Sequence, residues 1–334
     1  MAEETEEING QKVQSVPIAF AADALSACGK CGRDNPPNRA SCIYCGAELT
    51  IREEFLSQAK VVANELEPDE IGWNIVANLR DVAASKAAKE LESLGFPFED
   101  AERFTSSHSI VPIARFASEQ TAQLASQRLT GFETAILTDA RFETDRPAIR
   151  ISKIELDGES LSFTDFNRGT SLRRSVTDVS AVVLGTIRVS RTTTYEKRSI
   201  RKRSTITDEI SDASDSQLLE IYVKGESIPF SVHSTGFDFS ILANHRSLLA
   251  SENFARLAAK LKVIAPNARV VTEFDAVRMI LSAPWPESSR SDGLGRVQTG
   301  IGQRRFGRTA TIDNTLQFTK FSRLQALDLD ELKR

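Results

Sequence analysis

The chain has 334 residues and a mass of 36.8 kDa, more than one hydrophobic core usually organises, so two or three domains are expected. It is 40% hydrophobic and 26% charged with a formal charge of −4, which excludes the chain-wide basic field common in nucleic-acid binders and leaves room only for a local patch. The apolar run VSAVVLGTI (Val179–Ile187) falls far short of the ~20 residues of a membrane span and reads as a strand.

The first ten residues, MAEETEEING, are acidic where a signal peptide needs positive charge. Residues 1–25 are therefore expected to be a disordered acidic tail on a cytoplasmic protein, and a reducing compartment disfavours disulfides. All four cysteines follow within CGKCGRDNPPNRASCIYCGAEL, as C-x2-C-x10-C-x2-C from Cys28, Cys31, Cys42 and Cys45. A two-residue gap lets one tight turn aim both sulfurs at a common point, and two such turns complete a tetrahedral thiolate shell. Gly32 and Gly46 follow the pairs, at positions that commonly need positive φ so that backbone N–H groups face the sulfurs. A thioredoxin-like redox pair would leave the other pair idle, and iron is possible on four thiolates, but a single structural zinc ion is the expected occupant.

These 22 residues, with C-x-x-C-G, N-P and C-G-x-x-L landmarks, resemble the short zinc ribbons of many bacterial proteins. The spacing C-x2-C-x3-N-x6-C-x2-C, which includes Asn35, is also similar to zinc fingers of the Ran-binding-protein type. The resemblance implies a metal shell supported by Gly32, Gly46 and Asn35. Where that type reads RNA it uses an aromatic residue ahead of the first cysteine, and this chain has Ser26 there. Residues 26–49 are thus expected to form a ribbon that presents Lys30, Arg33, Arg39 and Tyr44 to a partner.

TIRE (Thr50–Glu53) has the form of a capping box, which predicts a linker helix within 50–70 ending at Pro68. From 71 to 145, GWNIVANL, VPIARF and ETAILT read as strands. DVAASKAAKELESLG and SEQTAQLASQRLTG read as helices, with Ser118 as a cap. A small α/β domain of ferredoxin-like type is expected. Residues 146–272 carry a series of strands, with a hairpin cue at Asp157–Gly158, and then the helical pattern SENFARLAAKLKVIAP. That order of elements resembles a pleckstrin-homology-like barrel closed by a C-terminal helix. Its first hairpin carries Glu155, Asp157 and Glu159, which would repel a phosphoinositide headgroup. The whole is expected to be a multidomain α+β protein.

RVSRTTTYEKRSIRKR (Arg188–Arg203) carries seven cations and one acid, and Asp208, Glu209, Asp212, Asp215 and Glu220 follow. A polar hairpin arm whose halves neutralise one another is the expectation. The alternative is a nucleic-acid patch using Arg198, Arg201, Lys202 and Arg203 together with the ribbon. Ser289–Arg308 holds five arginines, but neither G-x-G-x-x-G nor a P-loop pattern fits it, and it reads as a flexible linker within an extended segment 273–334 that docks on the body through Trp285, Phe318, Phe321, Leu324 and Leu327.

The histidines are His108, His233 and His245, none of them in a catalytic motif. His233 and Asp238 with Ser231 or Ser234 are the nearest approach to a triad. The sequence points to a non-enzymatic zinc-binding adaptor that mediates protein–protein interaction.

Overall fold

The computed structural model describes residues 5–8, 11–14, 20–59, 66–67, 70–78, 82–92, 109–199, 204–293, 295–300 and 303–327. It divides into two compact units, Met1–Val62 and Ala63–Arg334.

In the first unit, β1 (Thr5–Ile8) and β2 (Gln11–Gln14) form a short antiparallel hairpin within the segment expected to be a disordered tail. Strands β3 (Ser26–Ala27) and β4 (Asp34–Asn35) open the cysteine module. Beyond it, Glu53–Gln58 is a 3-10 turn where an α-helix was expected, and the remainder of that predicted helix lies largely outside the described residues. Phe55 packs edge-on against Phe20 with ring centroids 5.9 Å apart, and Arg52 lies over the Phe55 ring at 5.1 Å. These contacts fasten the chain after the cysteines to the chain before them.

The second unit begins with a three-stranded sheet, β5 (Trp73–Asn78), β6 (Ile110–Phe116) and β7 (Thr134–Thr138), in the order β6-β5-β7 with both pairs antiparallel. Helices α1 (Ala84–Glu92) and α2 (Glu119–Gln127) belong to it. Ser118 caps α2 as its position implies, its Oγ accepting from the Thr121 N–H at 3.3 Å. Pro112 is tolerated in β6 because a register shift opposes it and because β6 is an edge strand.

The larger sheet comprises β8 (Ile149–Asp157), β9 (Ser160–Asp165), β10 (Ser171–Ser175), β11 (Val179–Ser199), β12 (Ser204–Val223), β13 (Phe230–His233), β14 (Arg269–Val271), β15 (Ser288–Ser291), β16 (Gly295–Gly300) and β17 (Gln303–Asp313). Its order is β10-β9-β8-β13-β12-β11-β17-β15, with β14 beside β11 and β16 beside β17. The Asp157–Gly158 turn joins β8 to β9 as expected.

Helix α3 (Ala250–Ile264) buries Phe254, Leu257 and Leu261 in one core with Ile154, Phe163, Leu219, Ile221 and Val232. The strands and this helix follow the expected order, but the barrel does not form: among the described residues the sheet is open, with β10 at one edge. The reason is that β11 pairs with β17 on its outer side, so the sheet extends instead of curling back on β10. Ser289–Arg308 is correspondingly not a linker but supplies β15, β16 and most of β17.

Two further helices, α4 (Phe274–Leu281) and α5 (Thr315–Ala326), dock the C-terminal segment on the body. Phe274 meets Phe318 edge-on at 5.1 Å, and both rings press on Gly185 of β11. A Cβ at Gly185 would lie 2.6 Å from the Phe274 ring, so only glycine fits there. On its other side α5 reaches the small sheet, where the Gln325 amide exchanges hydrogen bonds with both backbone groups of Ile110, at 3.3 and 2.7 Å. A side-chain amide thereby satisfies part of the open edge of β6.

That junction has a buried polar centre. Asp139 accepts from Arg115 at 2.6 Å, from Lys320 at 3.0 Å, from the Asn74 amide at 3.0 Å and from the Gly72 N–H at 2.8 Å. Arg115 also donates to the carbonyls of Leu66, Glu67 and Glu70, and the Trp285 indole donates to Asn74 at 2.8 Å. Burial works against the charged carboxyl of Asp139, but Lys320, the Asn74 amide and Arg115 outweigh it and hold its pKa below the usual range.

Candidate metal centre and the charged arm

The cysteine module is built from two near-copies of one turn. The Cys28 N–H donates to the Arg33 carbonyl at 2.9 Å and the Gly32 N–H to the Cys28 carbonyl at 2.8 Å. In the second turn the Cys42 N–H donates to Ala47 at 2.8 Å and the Gly46 N–H to Cys42 at 3.0 Å. Gly32 and Gly46 both adopt φ +70°, the left-handed conformation that closes each turn and that a side chain would oppose. Facing one another, the turns bring Cys28 Sγ to 3.6 Å from Cys45 Sγ and Cys31 Sγ to 3.6 Å from Cys42 Sγ. All four sulfurs lie within 4.8 Å of one another and all are free thiols.

These separations discriminate between chemistries. A disulfide requires ~2.05 Å, and tetrahedral thiolates at a Zn–S distance of ~2.3 Å stand roughly 3.8 Å apart. The four cysteines therefore form a group able to hold one metal ion.

Asn35 lies against these sulfurs. It is fully buried, its amide donates to Cys42 Sγ at 3.4 Å and to the Arg33 carbonyl at 2.9 Å, and its oxygen accepts from the Ile43 N–H at 2.9 Å. It thus links the turns and sets one sulfur in place. Burial alone would raise the Cys42 thiol, but the N–H groups of Tyr44 and Cys45 and the Asn35 amide bring its pKa down to about 6. For Cys31 the Arg33 N–H pulls downward, while burial and the neighbouring sulfurs push harder, up to about 11. Four thiols this close cannot all ionise at neutral pH without a cation among them, so metal binding here must release protons.

Lys30, Arg33, Arg39 and Tyr44 are all exposed. The Arg33 guanidinium covers the Tyr44 ring at 4.7 Å, and Ile43 beside it is 50% exposed. Cys28 and Cys42 are buried with Leu49, whereas Cys31 and Cys45 face solvent.

The basic arm is strand β11, and its register with β12 decides its electrostatics. Arg188 stands opposite Asp215 and bonds it at 3.1 Å, and Arg191 stands opposite Asp212. The base of the arm is thus neutralised across the hairpin. Further out, Arg198 lies opposite Thr205, and Arg201, Lys202 and Arg203 fall outside the described residues.

The triad candidate does not assemble. Ser231 Oγ is 3.2 Å from His233 Nε2, but Ser231 is buried, and Asp238 accepts from the Ser240 N–H instead of orienting the imidazole. His108 lies outside the described residues, and His245 uses its backbone carbonyl to accept from Arg256.

Sequence reasoning passed over two buried polar groups. The first is Arg115–Asp139–Lys320, whose one sequence signal was an arginine inside the apolar run VPIARF. The second is Glu220, which was expected among the acids that neutralise the arm but is buried opposite Val183, where it accepts from the Tyr222 hydroxyl at 2.9 Å, with Ser322 at 2.9 Å from the same hydroxyl. Burial pushes the Glu220 carboxyl up against these hydrogen bonds and the Arg323 charge. Tyr222 and Arg323 line a cleft of about 450 Å³ with Thr138, Arg141 and Phe142, and neither histidine nor cysteine lines it.

No family profile, curated protein or solved structure matches the chain.

Proposed function

We propose that this chain is a non-enzymatic cytoplasmic adaptor in which residues 26–49 form a zinc ribbon holding one structural Zn²⁺ and presenting its outer turns to a protein partner. The observation that carries the reading is the four-sulfur group, with separations that suit a tetrahedral shell. Four protein thiolates fill such a shell and leave no position for water or substrate, which makes the ion structural. Its binding energy of roughly 10–16 kcal/mol is of the size a module this small needs in order to fold.

The second unit then serves as scaffold. We take its small sheet as ferredoxin-like in type and the run from β8 to α3 as an opened relative of the pleckstrin-homology arrangement. The exposed Arg33–Tyr44 stack with Lys30, Arg39 and Ile43 is the surface offered to the partner. Aromatic and arginine side chains are the types that dominate such contacts.

Metal content of the purified chain by mass spectrometry, together with cobalt substitution, tests the site. One equivalent of zinc, and thiolate-to-cobalt charge-transfer bands with tetrahedral d–d bands, is expected. An iron–sulfur spectrum or no bound metal would overturn the assignment. The adaptor role is tested by quantitative proximity labelling with the Arg33→Glu/Tyr44→Ala variant, which is expected to lose the partners that the parent chain labels. An unchanged set removes the proposed surface.

A further inference from the structure

Helix α5 carries two cations about one turn apart, and the fold treats them differently. Lys320 is matched by the Asp139 carboxylate at 3.0 Å. Arg323 is also covered, at 7% exposed, yet no carboxylate forms an ion pair with it among the described residues. Its Nη2 donates to the Arg146 carbonyl at 2.8 Å, and its Nε is buried with no hydrogen-bond partner. Glu220, a buried carboxyl that the Arg323 charge reaches, is engaged by the Tyr222 hydroxyl, and burial favours its neutral form. A full positive charge thus sits in the protein with a carbonyl dipole as its hydrogen-bonded partner. Burial makes such an arrangement costly.

Arg323 stands in the wall of the cleft of about 450 Å³, a size that suits a small organic molecule. Arg141, a second cation of that wall, is exposed, and its side chain makes neither an ion pair nor a hydrogen bond among the described residues. Its backbone is nonetheless held in place. The 3-10 turn Asp139–Phe142 is fixed at one end by the Asp139 ion network. At the other end Phe142 is fully buried, with its ring edge-on to Trp285 at 5.3 Å. Glu143, the acid among the described lining residues, is already occupied by Arg146 at 3.0 Å. Phe142, Ala326 and Leu327 give the same cleft an apolar side.

We propose that this cleft is a binding site for a small organic monocarboxylate. Arg141 meets the carboxylate on the solvent side, Arg323 supplies the buried positive charge behind it, and Phe142 and Leu327 contact the apolar body. A guanidinium matches the planar carboxylate, and an anion here is the counter-charge that Arg323 lacks. A phosphate dianion is the weaker fit, because Glu143 in the same wall repels the second charge. The chain itself continues past Leu327 with Asp328, Asp330 and Glu331, whose carboxylates are the competing occupants. The site belongs to the second unit and is independent of the cysteine module and of the adaptor reading.

The experiment is saturation-transfer NMR and calorimetry of the full chain with benzoate, phenylacetate and hexanoate, with benzamide and inorganic phosphate as controls. At least one carboxylate is expected to bind with a Kd below ~1 mM and to raise Tm. Arg141→Ala should weaken that binding about tenfold, and Arg141→Lys, which keeps the charge but loses the fork, should fall between. Arg168→Ala, outside the cleft, should match the parent. Arg323→Met should abolish binding, and without ligand it should melt at or above the parent Tm, since an unpaired buried charge is removed. Where that variant does not fold, Arg141→Ala decides. No binding below the stated limit overturns the proposal. So does equal binding of benzamide or phosphate, binding unchanged in Arg141→Ala, or an Arg323→Met chain that melts early yet binds as the parent does. Binding that emerges only in Asp328→Asn/Asp330→Asn/Glu331→Gln gives the cleft to the chain's own acidic residues and overturns it as well.

Discussion

Compare what is buried in the two units. In the cysteine module the buried apolar group consists of Cys28, Cys42 and Leu49 with Ala47 beside it, and two of those side chains are thiols. In the second unit the core of the large sheet alone includes Ile154, Phe163, Phe230, Phe254, Leu257 and Leu261, and α5 adds Phe318, Phe321 and Leu324. The first unit has too little apolar surface to offset the entropy of ordering its chain. The second has enough to tolerate Arg115, Asp139, Lys320 and Glu220 in its interior. A four-sulfur group able to hold a metal ion stands in place of a core in one, and a core accommodates an ion network in the other.

The largest expected break in that comparison is at the sulfurs. Cys42→Ser, or chelation of the parent chain, should unfold residues 26–49 with loss of roughly 10–16 kcal/mol of binding energy, while the main far-UV circular dichroism melt stays in place. A single transition that shifts for the whole chain would show that the units are not separately stabilised.

The matching break in the second unit is Asp139→Ala, which leaves Arg115 and Lys320 buried without their anion. About 3–5 kcal/mol should be lost, read as a lower denaturation midpoint with metal release unchanged. The same carboxyl sets a pH dependence. Its folded pKa is depressed, so its contribution is present above the unfolded value near the ordinary 3.8 and is lost as pH falls through the lower folded value. Acid unfolding of the parent should therefore steepen below that value, and the variant should lack the step.

Asn35→Ala sharpens the role of the amide that joins the two turns. A loss of ten- to a hundredfold in metal affinity, about 1.4–2.8 kcal/mol, is expected in a competitive chelator titration. Smaller or similar is Gly185→Ala, where the added methyl meets Phe274 and Phe318. About 1–3 kcal/mol of stability should be lost from the second unit alone. An unchanged midpoint would mean that α4 and α5 can shift away from β11 at little cost.

Much of this architecture is legible from neighbours in the chain. The spacing of Cys28, Cys31, Cys42 and Cys45 and the glycines after each pair determined the four-sulfur group that could hold a metal, because both turns close within a few residues. Short apolar runs located β5, β6 and β7, and Ser118 located the start of α2, since a run and a cap are also local. The order from β8 to α3 was visible for the same reason.

What no local pattern contains is who pairs with whom. RVQTGIGQRRFGR carries the glycines and charges of a loop, and it becomes β16 and β17 because the outer half of β11 offers unpaired backbone groups that another strand can satisfy. That pairing keeps the sheet open, while β12 neutralises the base of the neighbouring arm. Asp139 likewise looks like an ordinary turn residue until Arg115 and Lys320 arrive from positions 24 and 181 residues away. The sequence by itself determined the chemistry of the cysteines, since thiols three residues apart need only a turn to meet. Tertiary structure alone decided where charge is matched and where it is exposed, since that depends on strand register, and long-range hydrogen bonding and burial set the register.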